Sequence, residues 1–211
     1  MHTVANPVSA AAPRGAAARL RKIVRPTGEI CALVALSEPA QALLTPEIAP
    51  GDFIELLCAG GLWADAVRFL AHALPKREAV WWACLAVRGA LPADAPPAQA
   101  KSVEAAEAWV YQPTEEHRRA AMAAGDAAGA DCPARWAAIA AFWSGGSVTA
   151  AGAPPVPPGE TLTAMAVAGA VQIAAVQREP ARAEEKYRRF IAQGLDIAQG
   201  GNGRLAAAPA A

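Results

Sequence analysis

Residues 51–89 read GDFIELLCAGGLWADAVRFLAHALPKREAVWWACLAVRG, and their patterning decides the fold. Between residues 62 and 74, Trp63, Val67, Leu70 and Leu74 recur at spacings of three and four, with Ala66 in the same stripe. That is one face of a 3.6-residue helix. Asp65, Arg68 and His72 fall on another face, where Asp65 can pair with Arg68 three residues on for roughly 0.2–0.5 kcal/mol. Pro75 stops this helix, because the residue before a proline avoids the helical region, and can then sit at the start of the next one. In that next helix Arg77, Trp81, Cys84, Leu85 and Arg88 share a side, and Val80 and Trp82 broaden the apolar surface. Gly60, Gly61 and Gly89 suit left-handed C-terminal caps. A short turn between two amphipathic helices predicts an antiparallel α-hairpin. The adjacent Trp81 and Trp82 point about 100° apart on a helix, so they brace two different neighbours, and both read as core anchors.

Working outward, the chain has 211 residues, enough for one large domain or two small ones. Nineteen Lys and Arg balance nineteen Asp and Glu, so no global field favours nucleic acid or an anionic membrane. Abundant alanine with few β-branched residues points to an all-α protein. The four cysteines, Cys31, Cys58, Cys84 and Cys132, form no CxxC pair and read as buried free thiols in a reducing compartment. With His2, His72 and His117 the only histidines, a zinc site has poor raw material. No apolar signal-peptide core opens the chain, and the most apolar run, residues 164–176, is too short to span a bilayer. The expectation is a soluble, cytoplasmic protein without a membrane span.

Residues 1–26 are rich in Ala, Pro and Gly, carry Arg14, Arg19, Arg21, Lys22 and Arg25 without an acid, and read as a disordered basic arm. A helical domain over residues 27–199 follows, and residues 200–211 read as a flexible tail. Inside the domain, Thr27, Ser37, Asp52, Thr114 and Asp131 are the expected helix caps. The stretch AAMAAGDAAG, residues 120–129, is nearly all small residues and predicts a slim helix sandwiched between others. Residues 144–160, SGGSVTAAGAPPVPPGE, form a long irregular segment, which either crosses the surface or offers its PPVPP as a docking peptide. The helix after Thr161 is apolar on nearly every side and is therefore central. In the last one Tyr187, Phe190, Ile191 and Leu195 face inward. The sum is about nine helices in stacked antiparallel α-hairpins, a single compact domain with flexible tails. The hairpin starts near residues 62, 98 and 133 approach the tetratricopeptide period, but that repeat's signature residues are missing.

No motif for phosphate cradling, metalloprotease chemistry or a nucleophile elbow occurs. The densest polar set beside aromatic residues is Arg68, His72, Lys76, Arg77 and Glu78 with Trp81 and Trp82, and these seven form the candidate binding surface. A remote acid/base site around His72 is the alternative, and an exposed hairpin tip with local ion pairs is the plain structural reading. Trp109, Tyr111, Trp136 and Trp143 could stack a ligand, but no basic track threads between them, which argues against nucleic acid.

Three blocks read together carry a family resemblance: LLCAGGLWADAVRFLAHALPKREAVWWACLAVR (residues 56–88), AWVYQPTEEHRRAAMAAGDAAGADCPARWAAIAAFWSGGS (108–147) and LTAMAVAGAVQIAAV with YRRFIAQGLDIAQGG (within 162–201). PKREAVWWA and FWSGGS are their most specific parts. The set resembles an uncharacterised family of bacterial all-helical proteins, some of them encoded near type VI secretion components. The resemblance covers about residues 27–201 and implies no catalytic residue and no cofactor. Function is therefore expected to be a non-enzymatic adaptor or chaperone-like module that binds another protein. A small-ligand binder or enzyme, with an inter-helix pocket near Trp81, Trp82, Trp136 and Trp143, is the alternative. Self-association through the alanine-rich helices is a third reading.

Overall fold

Alanine and other helix formers dominate residues 50–142 and 162–199, and helices are what these segments build. The computed structural model describes residues 20–150 and 152–205. In chain order it has α1 (Thr27–Cys31), α2 (Glu38–Gln41), α3 (Pro50–Ala59), α4 (Trp63–Ala73), α5 (Lys76–Ala90), α6 (Pro97–Tyr111), α7 (Glu115–Ala127), α8 (Pro133–Phe142), α9 (Leu162–Val176) and α10 (Ala183–Gln199). A 3₁₀ turn, Pro180–Arg182, precedes α10, and there is no strand among the described residues. No helix there is long and apolar enough to cross a membrane.

Local chemistry explains most boundaries. The hydroxyls of Ser37 and Thr114 accept hydrogen bonds from the N–H groups of Ala40 and His117, as expected of helix caps. Three other expected caps are used differently. Thr27 donates its hydroxyl to the Ile48 carbonyl at 2.6 Å and so ties α1 to the segment before α3. Asp52 lies inside the first turn of α3, which already starts at Pro50, where its charge still suits the helix dipole. Asp131 yields the cap position to Cys132, because Pro133 takes the first helical position of α8. Gly89 is no cap either. The α5 helix runs past it to Ala90, and an added Cβ there would lie 3.5 Å from Arg189.

The core is organised around α9 and α5. As its all-round apolarity predicts, α9 is central and packs on α8, α5, α4 and α10, while α5 packs on α9, α6, α10 and α8. The run α6, α7, α8 forms successive hairpins. Slim α7 is an outer helix, not a sandwiched one. Only Arg118, Ala121 and Gly125 are buried along it, and Gly125 lets it approach Ala138 of α8 closely.

The opening hairpin is splayed. Helices α4 and α5 barely touch, and α9 and α10 pack against both. At the wedge sits Gly194 of α10, where an added Cβ would fall 2.6 Å from Leu70 Cδ2 and 2.9 Å from Trp82 Cε2. The face of α5 that enters the core is Ala79, Val80, Trp82, Ala83, Cys84, Ala86 and Val87. The stripe of Arg77, Trp81, Leu85 and Arg88 is left at the edge. The alanines of α5 are on the buried side, where small side chains allow close helix packing.

Both ends of the described chain are tied down. Leu20 and Ile23 pack on the core, and the Lys22 N–H donates to the Ala198 carbonyl at 2.8 Å. Gly200 closes α10 at φ 105°, and the buried Gly203 donates its N–H to Asp196 Oδ2 at 2.8 Å. Residues 20–26 and 200–205 are thus part of the helical body and not of an arm and a tail. Residues 1–19, with Arg14 and Arg19, and residues 206–211 lie outside the described residues.

Candidate functional site

The seven candidate residues do not form one surface. Trp82 is fully buried and donates its indole N–H to the Phe190 carbonyl at 2.7 Å, so it joins α5 to α10. Arg68 belongs to a buried clasp around Asp65. That carboxylate accepts the Ser37 N–H and hydroxyl, each at 2.9 Å, and Arg68 Nη2 at 2.7 Å. Burial pushes the Asp65 carboxyl up, but these donors outweigh it and hold the group below the usual carboxylate range. The expected Asp65–Arg68 pair is present, yet it locks the start of α2 onto α4 and is not an exposed tip.

His72 and Lys76 face a second place. They line a pocket of about 260 Å³ with Lys22, Arg25, Leu33 and Thr163. His72 Nδ1 lies 2.8 Å from the Arg68 carbonyl, which can only accept, so Nδ1 carries the proton. Nε2 keeps its lone pair, is buried and has no partner among the described residues. Burial pushes this imidazole below its ordinary pKa and keeps it neutral at physiological pH. Lys76 reaches across to the Ser144 carbonyl at 3.2 Å. The lining also holds Glu160 and Thr161, and the Thr163 hydroxyl donates to the Trp143 carbonyl at 2.9 Å.

Arg77, Glu78 and Trp81 come together in the third place. They line an open groove of about 430 Å³ between α5, the end of α6 and the end of α10. The sequence pointed to these three only as part of a larger set, and the structure supplies the remainder: Lys22, Val110, Tyr111, Ile197, Asn202 and Arg204. Trp81 anchors the floor. Its indole N–H donates to the Asn202 carbonyl at 2.8 Å, and its ring lies 5.8 Å from that of Tyr111 at a tilt of 59°. Arg204 lies over the Trp81 ring at 5.4 Å. Tyr111, at 61% exposure, offers its ring to solvent. Arg77 donates Nε to the Val110 carbonyl at 2.6 Å and so closes the end of α6, while Lys22 pairs with Glu78 at 2.8 Å. This is one continuous surface with an aromatic floor and a basic rim.

Tyr111 had a sequence signal, as one of the aromatic residues able to stack a ligand. Asn202 and Arg204 had none, because a glycine-rich end reads as a tail unless the buried turn at Gly203 is known. Lys22 was assigned to the arm for the same reason. A further polar centre went unread. Arg118, buried on α7, binds the Glu115 carboxylate and the carbonyls of Phe142 and Ser147 and lies over the Phe142 ring. Arg118, together with Arg119, pins Glu115 to a pKa of about 2. Arg119 reaches the Thr149 carbonyl, and the Val148 N–H donates to the Val156 carbonyl at 2.9 Å. The long irregular segment is therefore tethered to α7 and presents Val156 outward.

Among the described residues no group of three or more His, Cys, Asp or Glu side chains is arranged to hold a metal ion. The cysteines are free thiols, and burial pushes Cys84 far up and Cys58 to about 11, away from thiolate chemistry.

Comparison with known proteins gives a family and no activity. Residues 53–198 match a family of unknown function, DUF6931, and the chain belongs to it. No curated protein and no solved structure matches the chain. The matched span includes Arg77, Glu78, Trp81, Tyr111 and Ile197 of the groove, and the flanking residues Lys22, Asn202 and Arg204 lie outside it.

Proposed function

We propose that this protein is a non-enzymatic helical interaction module, an adaptor or chaperone-like subunit that binds another protein through the Trp81 groove. One observation supports this most. A tryptophan and a tyrosine from different helices share an open groove with arginines on its rim, the composition typical of residues that dominate protein interfaces. Trp81 is held by its bond to Asn202, so little side-chain entropy is lost when a partner lands on it. The resemblance to bacterial proteins encoded near type VI secretion components makes that machinery or its cargo, in the cytoplasm, the first place to seek the partner.

The test is comparative affinity capture from the native lysate. The wild-type chain should retain a protein partner that the Trp81→Ala, Tyr111→Ala double variant loses, with both proteins equally folded by circular dichroism. Equal recovery by the two would remove the groove from the account.

A second reading draws on the His72 pocket. A neutral imidazole with an unpartnered Nε2, beside Lys76 and the Arg25–Glu160 ion pair, is suited to a small ligand that donates a hydrogen bond to it. A small-molecule screen read by thermal shift on wild type and His72→Gln separates it from the first reading.

A further inference from the structure

The rim of the Trp81 groove has a one-sided charge. Lys22, Arg77 and Arg204 stand around a single carboxylate, Glu78, and Lys22 already occupies that carboxylate. Arg77 commits only its Nε, to a backbone carbonyl, and Arg204 touches the Tyr111 hydroxyl at a long 3.5 Å. Neither guanidinium pairs with a carboxylate among the described residues. A guanidinium fork with free N–H groups is geometrically matched to a carboxylate, which it holds by two parallel hydrogen bonds. The chain as a whole is neutral, so this attraction is local to the groove and not a property of the surface at large. The groove is open to solvent, which suits a segment of polypeptide better than an engulfed small molecule. The exposed ring of Tyr111, tilted 59° to that of Trp81, gives an aromatic bed for a proline or aromatic side chain.

We infer that the groove binds an extended acidic segment of the partner protein, with its carboxylates on Arg77 and Arg204 and a flat side chain on the Tyr111–Trp81 bed. The inference rests on the interaction reading and specifies the chemistry of the partner. Lys22 and Glu78, already paired, set the end of the acidic track.

The experiment is an NMR titration of the ¹⁵N-labelled full chain with a short acetylated peptide in which glutamate alternates with proline and tyrosine. Two controls are its twin with lysine at each glutamate and a short oligothymidine. The acidic peptide should shift the Trp81 indole N–H and the backbone amides of Tyr111, Asn202 and Arg204. It should bind at least about tenfold more tightly than the lysine twin, weaken as salt is raised, and lose about tenfold on Arg204→Glu, an exposed position. Equal binding of the twins, shifts that map elsewhere, no binding, or tighter binding of oligothymidine to the same residues would overturn the inference. The two levels separate cleanly. If Trp81→Ala with Tyr111→Ala loses the cellular partner while Arg204→Glu keeps it, the acidic chemistry is wrong and the interaction reading stands. If both variants keep the partner, the reading itself fails.

Discussion

Trp81 and Trp82 are neighbours in the chain and opposites in the structure. Trp82 has no exposure, bonds the Phe190 carbonyl and packs on Gly194 where α4, α5 and α10 meet. Trp81 is half-buried, bonds the Asn202 carbonyl and forms the floor of a groove. The same side chain, rotated by one helical position, holds the fold together in one case and presents a surface in the other. A tryptophan whose ring is fixed by Asn202 and Arg204 at the floor of an open groove is suited to recognition, whereas one enclosed on all sides is not. The comparison yields predictions that differ in size and kind.

The largest stability loss should come from Trp82→Ala. A buried aromatic removed from a close-packed core costs about 3–5 kcal/mol, on the order of 10 °C in Tm for a chain of this length. Thermal unfolding measures it, and Trp81→Ala should cost less than half as much. Next comes Arg118→Ala. It strands the carbonyls of Phe142 and Ser147 and frees the irregular segment, for about 2–3 kcal/mol. Hydrogen exchange should show residues 144–150 losing protection before the helices do. Gly194→Ala follows at about 1–3 kcal/mol, because its methyl meets Leu70 and Trp82 at distances no real Cβ adopts. It would push the Trp82 side apart and leave the Trp81 side alone.

The smallest effect is that of pH. His72 has a folded pKa below its ordinary value, so the unfolded chain takes up the proton first and stability falls as pH drops below about 6.5. Asp65 is held below its ordinary value too, so its contribution is present above about pH 4 and is lost as pH falls through the folded value. Urea midpoints at successive pH values should therefore decline in two stages. His72→Gln should remove the upper stage and leave the lower one.

How much of this was readable follows from what each feature depends on. Helix periodicity is local, so the all-α class, the central position of α9 and the inward face of Tyr187, Phe190 and Ile191 on α10 could be read directly. The rotation of α5 could not. Its buried side is marked by Ala79, Ala83 and Ala86, which carry little hydrophobic signal on their own and matter because other helices pack on them. The split of the candidate set among clasp, pocket and groove was hidden for a related reason. Arg68, His72 and Arg77 are near in sequence, but Arg68 turns to the Asp65 carboxylate, His72 lines a pocket with Lys76, and Arg77 reaches the end of α6. Asn202, Arg204 and Lys22 looked like tails because the bonds that hold them, from Lys22 to Ala198 and from Gly203 to Asp196, join segments that carry no periodicity.

The central claim is that Trp81 serves recognition while Trp82 serves the fold, and a matched pair of variants tests it most directly. Trp81→Ala and Trp82→Ala would be compared with wild type for thermal stability and for partner recovery, with Trp82→Ala assayed well below its lowered Tm. The account predicts that Trp81→Ala stays within a few degrees of wild type and loses the partner, whereas Trp82→Ala melts early and, while folded, still retains it. If Trp81→Ala kept the partner at full yield, or if the folded Trp82→Ala variant were the one to lose it, the division of labour between the two tryptophans would be wrong.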